Sequence, residues 1–391
     1  MKLKTPSIIK TNKFDTLFCN IININLSLYI ITTILSNSAV IGSLWNLCHK
    51  IMWVTFFVMF IIFAYYFIRG KFAYIECLIY ALLIALTFII RLKAGGGEQI
   101  VFIMYLIICR FCDKDKYLKV GFWSILITLL FVISMSLLLK IPGTNAIQHR
   151  YGADRIRYGL GFTYTTFSAN YYLCAVILSV FAIRKYKIIY YVLFFAGALA
   201  LFILTDTKSA FACTVLMLLL IYVKENFDDS KLLKIISKIN IFLFPVGSIG
   251  MWILSALYNS ENKILEFLNK LTTGRIYLAS NGLKYWGVTL FGTRTNNVIT
   301  LAKNYIDSSY MQILFRNGVI FLVIVVILLT IFAYIIDKIE DKNFVIVLFV
   351  LGVHSILDPQ LIMLAYNPEV VLSGYFLYKY MIEDIKVEKR D

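Results

Sequence analysis

The sequence predicts an all-α polytopic membrane protein, and its composition and its long apolar runs lead to that prediction. Of the 391 residues, 60% are hydrophobic and 15% are charged, and the mean hydropathy is +0.81. A soluble protein is nearer half apolar and a quarter charged. Apolar runs of about 20 residues recur along the chain, each long enough to cross the ~30 Å hydrocarbon core of a bilayer. A transmembrane barrel would show shorter segments of alternating polarity instead.

We predict about 12 transmembrane helices, within a range of 11 to 13. The fourth and eleventh spans are short, and the third and fourth together are a candidate helical hairpin that spans poorly. No Gly/Ser-rich or Pro-rich linker divides the chain, so residues 1–391 are predicted to form one membrane domain. The predicted spans are 17–37, 51–68, 72–90, 98–111, 119–139, 164–183, 188–205, 209–223, 239–257, 317–336, 343–356 and 369–383.

The basic residues predict the orientation of these spans. With the amino terminus inside, 23 of the 38 lysines and arginines fall in inner segments, as expected for cytoplasmic loops. We therefore predict a multi-pass protein of the plasma (inner) membrane with both termini in the cytoplasm. Because topology accounts for most of the net charge of +16, no nucleic-acid partner is expected, and the bilayer is the expected surrounding.

The kind of basic residue differs between the two sides. Inner segments hold 19 lysines and 4 arginines, whereas outer segments hold 8 lysines and 7 arginines. Arginine presents a planar fork that binds phosphate or carboxylate at two points, which lysine does not. This bias favours anion binding on the outer face, although arginines among lipid head groups would give the same pattern. The outer arginines are Arg91, Arg150, Arg155, Arg157, Arg275, Arg294 and Arg316.

Two outer loops are unusually long. The first covers 140–163, and the second covers 258–316, far longer than an ordinary connection. Within the second loop, apolar residues repeat at helical spacing on both sides of Thr272-Thr273-Gly274. We predict two amphipathic helices that rest at the outer membrane surface, where they either wall a site or only anchor the loop.

Several motifs in these outer segments are similar to one family of enzymes. Arg157-Tyr-Gly-Leu-Gly-Phe162, followed by Tyr164 and Asn170, resembles the Arg-plus-Leu-Gly-Phe segment of the Wzy-type polysaccharide repeat-unit polymerases. Four further segments resemble the outer loops of the same O-antigen ligase and polymerase superfamily. They are Gly274-Arg-Ile-Tyr-Leu-Ala279 with Leu290-Phe-Gly292, Asp307-Ser-Ser-Tyr310 with Gly318, His354-Ser-Ile-Leu-Asp-Pro-Gln360, and Tyr366-Asn-Pro368.

The resemblance implies a GT-C-like fold and glycosyl transfer on the outer face of the plasma membrane. In capsule, exopolysaccharide and O-antigen biosynthesis, such a polymerase moves the growing glycan from undecaprenyl diphosphate to the next lipid-linked repeat unit. The diphosphate is the leaving group, and the resemblance implies neither a metal nor another cofactor. It also suggests a chain-length regulator and a flippase as protein partners.

The resemblance assigns catalytic roles to a few outer residues. Arg157 and Arg275 match the two arginines expected to stabilise the leaving diphosphate, whose negative charge grows in the transition state. The acceptor hydroxyl needs a proton acceptor, for which Asp307, His354 and Asp358 are rival candidates. Asp307 stands where the superfamily often has histidine, while His354 and Asp358 are equally expected to be a structural pair.

Substrate binding is expected from residues that flank these positions. Arg294 is a third candidate cation, whereas Arg150 and Arg155 either assist or pair with Asp154. The tyrosines are candidates for sugar stacking, and Glu98 after a triple glycine is one more outer carboxylate, with the glycines forming either a bend or a phosphate cradle. The full set of predicted substrate-binding residues is Arg150, Arg155, Tyr158, Tyr164, Asn170, Tyr277, Arg294 and Tyr310.

Two other functions fit the same sequence. A ligase of the same superfamily would transfer finished glycan to a different acceptor. A lipid-linked oligosaccharide flippase or another transporter would place polar groups at the bilayer midplane, whereas here the central thirds of most spans are apolar. The polymerase is therefore the leading prediction.

Overall fold

The computed structural model describes residues 13–141, 143–150, 153–227, 231–295 and 306–382. These residues form fourteen α-helices and one short β-hairpin. The helices are α1 (Lys13–Ser36), α2 (Trp45–Ile68), α3 (Tyr74–Ala94), α4 (Glu98–Ile108), α5 (Lys114–Leu138), α6 (Phe167–Ala182), α7 (Ile188–Thr205), α8 (Lys208–Asn226), α9 (Lys231–Ala256), α10 (Lys263–Leu271), α11 (Arg275–Trp286), α12 (Ser309–Ile339), α13 (Lys342–Leu357) and α14 (Leu372–Leu377).

Among the described residues, eight helices are long and apolar enough to cross a membrane: α1, α2, α3, α5, α7, α8, α9 and α12. This agrees with the predicted class, an all-α polytopic membrane protein. Two further predicted spans are the 16-residue apolar helices α6 and α13. Helix α9 packs against both α12 and α13, and α5 packs against α1 and α6.

The remaining two predicted spans do not form long helices. Helix α4 has only 11 residues, and from Gln99 to Ile108 nearly every side chain is buried inside the protein. The predicted last span, 369–383, consists of the 3-10 turn Pro368–Val371, the short α14 and the π-helical turn Tyr378–Ile382. Irregular backbone is tolerated at membrane depth when protein surrounds it, and α14 packs against α4 and α12. The lengths of these two apolar runs in the sequence therefore overestimate the lengths of the helices that they form.

The first long loop, which was predicted to lie on the outer face, contains a β-hairpin that the sequence did not predict. Strands β1 (Ala146–Arg150) and β2 (Ala153–Arg157) pair antiparallel, with Ala146 opposite Arg157 and Gln148 opposite Arg155. The Gly-Leu-Gly-Phe segment that follows holds the hairpin against the helices. The side chain of Phe162 is fully buried, and a Cβ on Gly161 would lie 2.7 Å from Ser136 Cβ.

The second long loop contains the two predicted helices, α10 and α11. Asn262 caps α10 by accepting from the amides of Ile264 and Leu265, and Gly274 begins α11 with a φ of 91°. The apolar face of α10 stays exposed, with Ile264 72% and Phe267 60% accessible. This exposure is typical of a helix that rests on a membrane surface.

Helix α12 is broken at Gly318, which has a φ of 86° and a ψ of 170°. The Leu290-Phe-Gly292 segment fills the break, because Val319 N donates to Thr289 O at 3.0 Å and Thr293 N donates to Phe315 O at 2.8 Å. A Cβ on Gly318 would lie 2.3 Å from Leu290 O. Two motifs that are far apart in sequence are thus one packing unit in the structure.

Candidate functional site

The predicted catalytic residues lie at one end of the bundle, where several helices and the two long loops meet. The hairpin reaches the α7–α8 turn, with Tyr158 N donating to Leu204 O at 2.9 Å. On the other side, Arg275 at the start of α11 reaches the end of α13. Asp307 precedes α12, and electrostatic interactions join it to both arginines.

Arg157 is fixed by the end of α7. Its Nε donates to Thr205 O at 2.6 Å, and its Nη2 donates to Thr207 Oγ1 at 3.4 Å. Thr205 is the last residue of α7, where backbone carbonyls lack helical partners and carry partial negative charge. The guanidinium therefore caps a helix, and the cap fixes the direction of its fork.

Arg275 is held in the same way by another helix. Its Nε donates to the carbonyl of Leu357, the last residue of α13, at 2.7 Å, and its Nη1 donates to Thr272 O at 3.3 Å. Its Nη2 lies 3.9 Å from Asp307 Oδ2. The side chain is only 14% exposed, so contacts with the protein fix its position.

Asp307 lies at the centre of the site. Burial, the largest effect, raises its pKa above the ordinary value for a carboxyl group, and Asp358 adds to the rise, while Arg275 and Arg157 oppose it. The side chain nevertheless keeps 31% of its surface exposed. A carboxylate with a raised pKa that a substrate can reach is a suitable proton acceptor near neutral pH.

Asp358 and His354 form a buried pair behind Asp307. Their Oδ2 and Nε2 atoms lie 3.2 Å apart, and the side chains are 6% and 3% exposed. Burial alone would raise the pKa of Asp358, but His354, Arg275 and Ser209 together lower it below the ordinary value. Asp358 therefore keeps its negative charge near Arg275, and both side chains are too buried to meet a substrate directly.

Asn170 and Ser309 hold the Asp358 segment in place. Asn170 Nδ2 donates to Asp358 Oδ1 at 3.4 Å. The Ser309 hydroxyl donates to Asp358 O at 2.5 Å and accepts from Leu361 N at 3.1 Å. Because Asn170 is fully buried, its position fits support of the carboxylate rather than the predicted contact with substrate.

The remaining predicted residues differ in accessibility. Tyr158, Tyr164 and Tyr277 are 42%, 37% and 41% exposed, and Arg294 is also exposed, so all four can meet a substrate. Tyr310 is only 1% exposed, and a Cβ on Gly247 of α9 would lie 3.1 Å from its ring. The predicted sugar contact of Tyr310 does not fit this burial.

Arg150 and Arg155 lie on the hairpin strands, but their side chains are outside the described residues. In the register of the hairpin, Arg150 pairs with Ala153 and Arg155 pairs with Gln148. The three arginines that lie close together in the sequence thus belong to one hairpin.

The turn Thr205–Ser209 contributes to the site, although the sequence analysis did not select it. Thr205 and Thr207 bind Arg157, and Ser209 interacts with Asp358. Five polar residues between two apolar helices, Thr-Asp-Thr-Lys-Ser, were the available signal.

Searches with this chain match no family model, no curated protein and no solved structure.

Proposed function

We propose that this chain is a membrane-embedded glycosyltransferase of the Wzy type that polymerises lipid-linked oligosaccharide repeat units. The observation that carries the proposal is the group formed by Arg157, Arg275 and Asp307, in which both arginines interact with the carboxylate. Two guanidinium groups held by helix-end carbonyls are preorganised donors for an anion. A reachable carboxylate beside them supplies the proton acceptor that a sugar hydroxyl needs.

In this mechanism the growing glycan leaves undecaprenyl diphosphate and joins the acceptor unit. The acceptor hydroxyl oxygen attacks the anomeric carbon and gives its proton to Asp307. The bond between that carbon and the diphosphate oxygen breaks, and Arg157 and Arg275 stabilise the negative charge that the diphosphate gains. The Asp358–His354 pair orients Arg275 through the end of α13.

The proposal includes the finer topology. Twelve crossings of the plasma membrane in a GT-C-like arrangement, with both termini in the cytoplasm, would put the Arg157–Arg275 site on the outer face. Flipped lipid-linked units would arrive on that side, and a flippase and a chain-length regulator would be the protein partners.

The test replaces Arg157 and Arg275 singly with lysine and with glutamine in a strain that makes the glycan, with Arg184→Gln as the control. Arg184 is an exposed arginine that follows α6 at the opposite end. Both glutamine variants should accumulate in the membrane at normal levels and leave surface glycan one repeat unit long. The lysine variants should make shortened polymer, because lysine keeps the charge and loses the fork.

Three outcomes would contradict the proposed polymerase function or its site. An unchanged length distribution in both glutamine variants would remove the site assignment. Lipid-linked units that stay on the inner leaflet would indicate a flippase. Full-length polymer that remains on its lipid and fails to reach a final acceptor would indicate a ligase.

A further inference from the structure

A second candidate binding site lies between α2, α3 and the beginning of α4. It is a cavity of about 410 Å³, within the range of ~300–1,000 Å³ that small-molecule pockets occupy. Its lining combines Trp53, Phe56 and Phe88 with three polar side chains, His49, Arg91 and Glu98. None of these residues belongs to the site of Arg157 and Arg275.

The apolar part of the cavity borders the lipid. Trp53 and Phe88 are both 48% exposed, and only 22% of the apolar window of α2 and of α3 is buried in the protein. A long hydrocarbon chain can therefore enter from the bilayer between these helices without crossing water.

The polar part of the cavity carries a fixed cation. The guanidinium of Arg91 lies 5.0 Å from the centre of the Trp53 ring, a cation–π contact that fixes its position. Gly97 makes room for it, since a Cβ at that position would lie 3.0 Å from Arg91 Nη1. Helix α4 also begins here, and the partial positive charge of its N-terminus adds to that of Arg91.

Glu98 adds an acceptor for hydroxyl groups and connects the cavity with the first site. It interacts electrostatically with Tyr171 and Tyr366, whose rings stack at 4.1 Å. The residue before Tyr171 is Asn170, which donates to Asp358. The tyrosine pair therefore links Glu98 with the residue that supports Asp358.

We propose that this cavity binds the isoprenoid diphosphate and first sugar of the acceptor unit, and this inference rests on the proposed polymerase function. A polymerase holds two lipid-linked molecules at once, and only one of them loses its diphosphate. The cavity lining matches the three parts of the acceptor unit, which keeps its diphosphate. The aromatic rings suit the isoprenoid, Arg91 suits the diphosphate, and Glu98 suits the sugar hydroxyls. Arg91 binds a diphosphate that does not react.

The test uses farnesyl diphosphate with a photoreactive group in its tail, added to the full chain in phosphatidylcholine nanodiscs. Labelled peptides should map to 45–56 and 88–101. Arg91→Gln should weaken labelling roughly tenfold, the effect of losing one charge-assisted hydrogen bond. Gly97→Ala should weaken it too, because the new Cβ displaces the guanidinium while the charge remains. Glu98→Gln should strengthen it, since a negative charge near the diphosphate is removed.

The matched control is Arg69→Gln. Arg69 also lies over an α2 tyrosine ring, Tyr65 at 5.5 Å, but at the opposite end of the helix, so labelling should not change. Farnesol and inorganic diphosphate should each compete poorly, because each offers only part of the ligand.

The inference is overturned if labelling maps elsewhere, or if Arg91→Gln leaves it unchanged. It is also overturned if phosphatidylglycerol or phosphatidylethanolamine displaces the probe at equal concentration, since the cavity would then hold bulk lipid. Failure of the polymerase function is a separate result. Lipid-linked units that stay on the inner leaflet in the Arg157 and Arg275 variants would remove that function, while labelling at the cavity would still identify an isoprenoid diphosphate site.

Discussion

Replacement of Arg275 tests the electrostatics of the candidate site most directly. Arg275 lowers the pKa of Asp307, against the larger effect of burial. In Arg275→Gln the lowering by that charge is lost, so the pKa of Asp307 rises further. If ionised Asp307 accepts the proton, the acid limb of the pH–rate profile moves to higher pH. In Arg275→Lys the limb should move less, because a positive charge remains.

The expected loss of rate follows from the contacts of the side chain. Arg275 is a preorganised donor that is 14% exposed, and removal of one such donor typically costs ~10²–10³ in rate. Its hydrogen bonds to Leu357 O and Thr272 O also join the end of α13 to the turn between α10 and α11. Hydrogen bonds of charged groups contribute about 1.5–3 kcal/mol each, so the melting temperature of Arg275→Gln should also fall.

The assay follows single rounds of glycan transfer by protein in nanodiscs across a pH series, with Arg184→Gln as the control. A fall in rate without any shift of the acid limb would refute the coupling between Arg275 and Asp307. Asp307→Asn separates the remaining possibilities. It should abolish transfer at every pH, and an active Asp307→Asn protein would exclude Asp307 as the proton acceptor.

Three further predictions concern the framework around the site. Gly318→Ala should lower the free energy of unfolding by more than ~3 kcal/mol, because it combines a φ of 86° with a 2.3 Å approach to Leu290 O. The matched control in a detergent melting assay is Gly250→Ala, whose Cβ meets nothing within 4 Å. Equal melting temperatures of the two variants would contradict the packing described for Gly318. Glu76→Ala should lower the free energy of unfolding by about 3–5 kcal/mol, because the almost fully buried Arg110 loses the carboxylate with which it pairs at 3.0 Å. The double variant with Arg110→Met should recover part of that loss. No recovery would indicate that the two charges are not coupled. Tyr310→Phe should keep full transfer activity and equal or higher stability, because the buried hydroxyl has no hydrogen-bond partner among the described residues. A loss of transfer without a loss of stability would restore Tyr310 as a substrate-binding residue.

The sequence by itself determined the membrane class, because hydropathy is a local property that adds up along each helix. It also determined α10 and α11, whose apolar residues repeat at helical spacing. Among the seven predicted outer arginines, the resemblance to the Wzy-type polymerases selected Arg157 and Arg275 as candidates without any structure. Each of these inferences depends on neighbours within a few residues.

Only the tertiary structure decided which candidates are accessible and what holds them. The contacts of Arg157 with Thr205 and of Arg275 with Leu357 join residues 48 and 82 positions apart. Such contacts depend on how helices pack, and no local pattern encodes them. The same packing buried Tyr310 against Gly247, shortened α4 by surrounding it with protein, and enclosed the cavity beside Arg91.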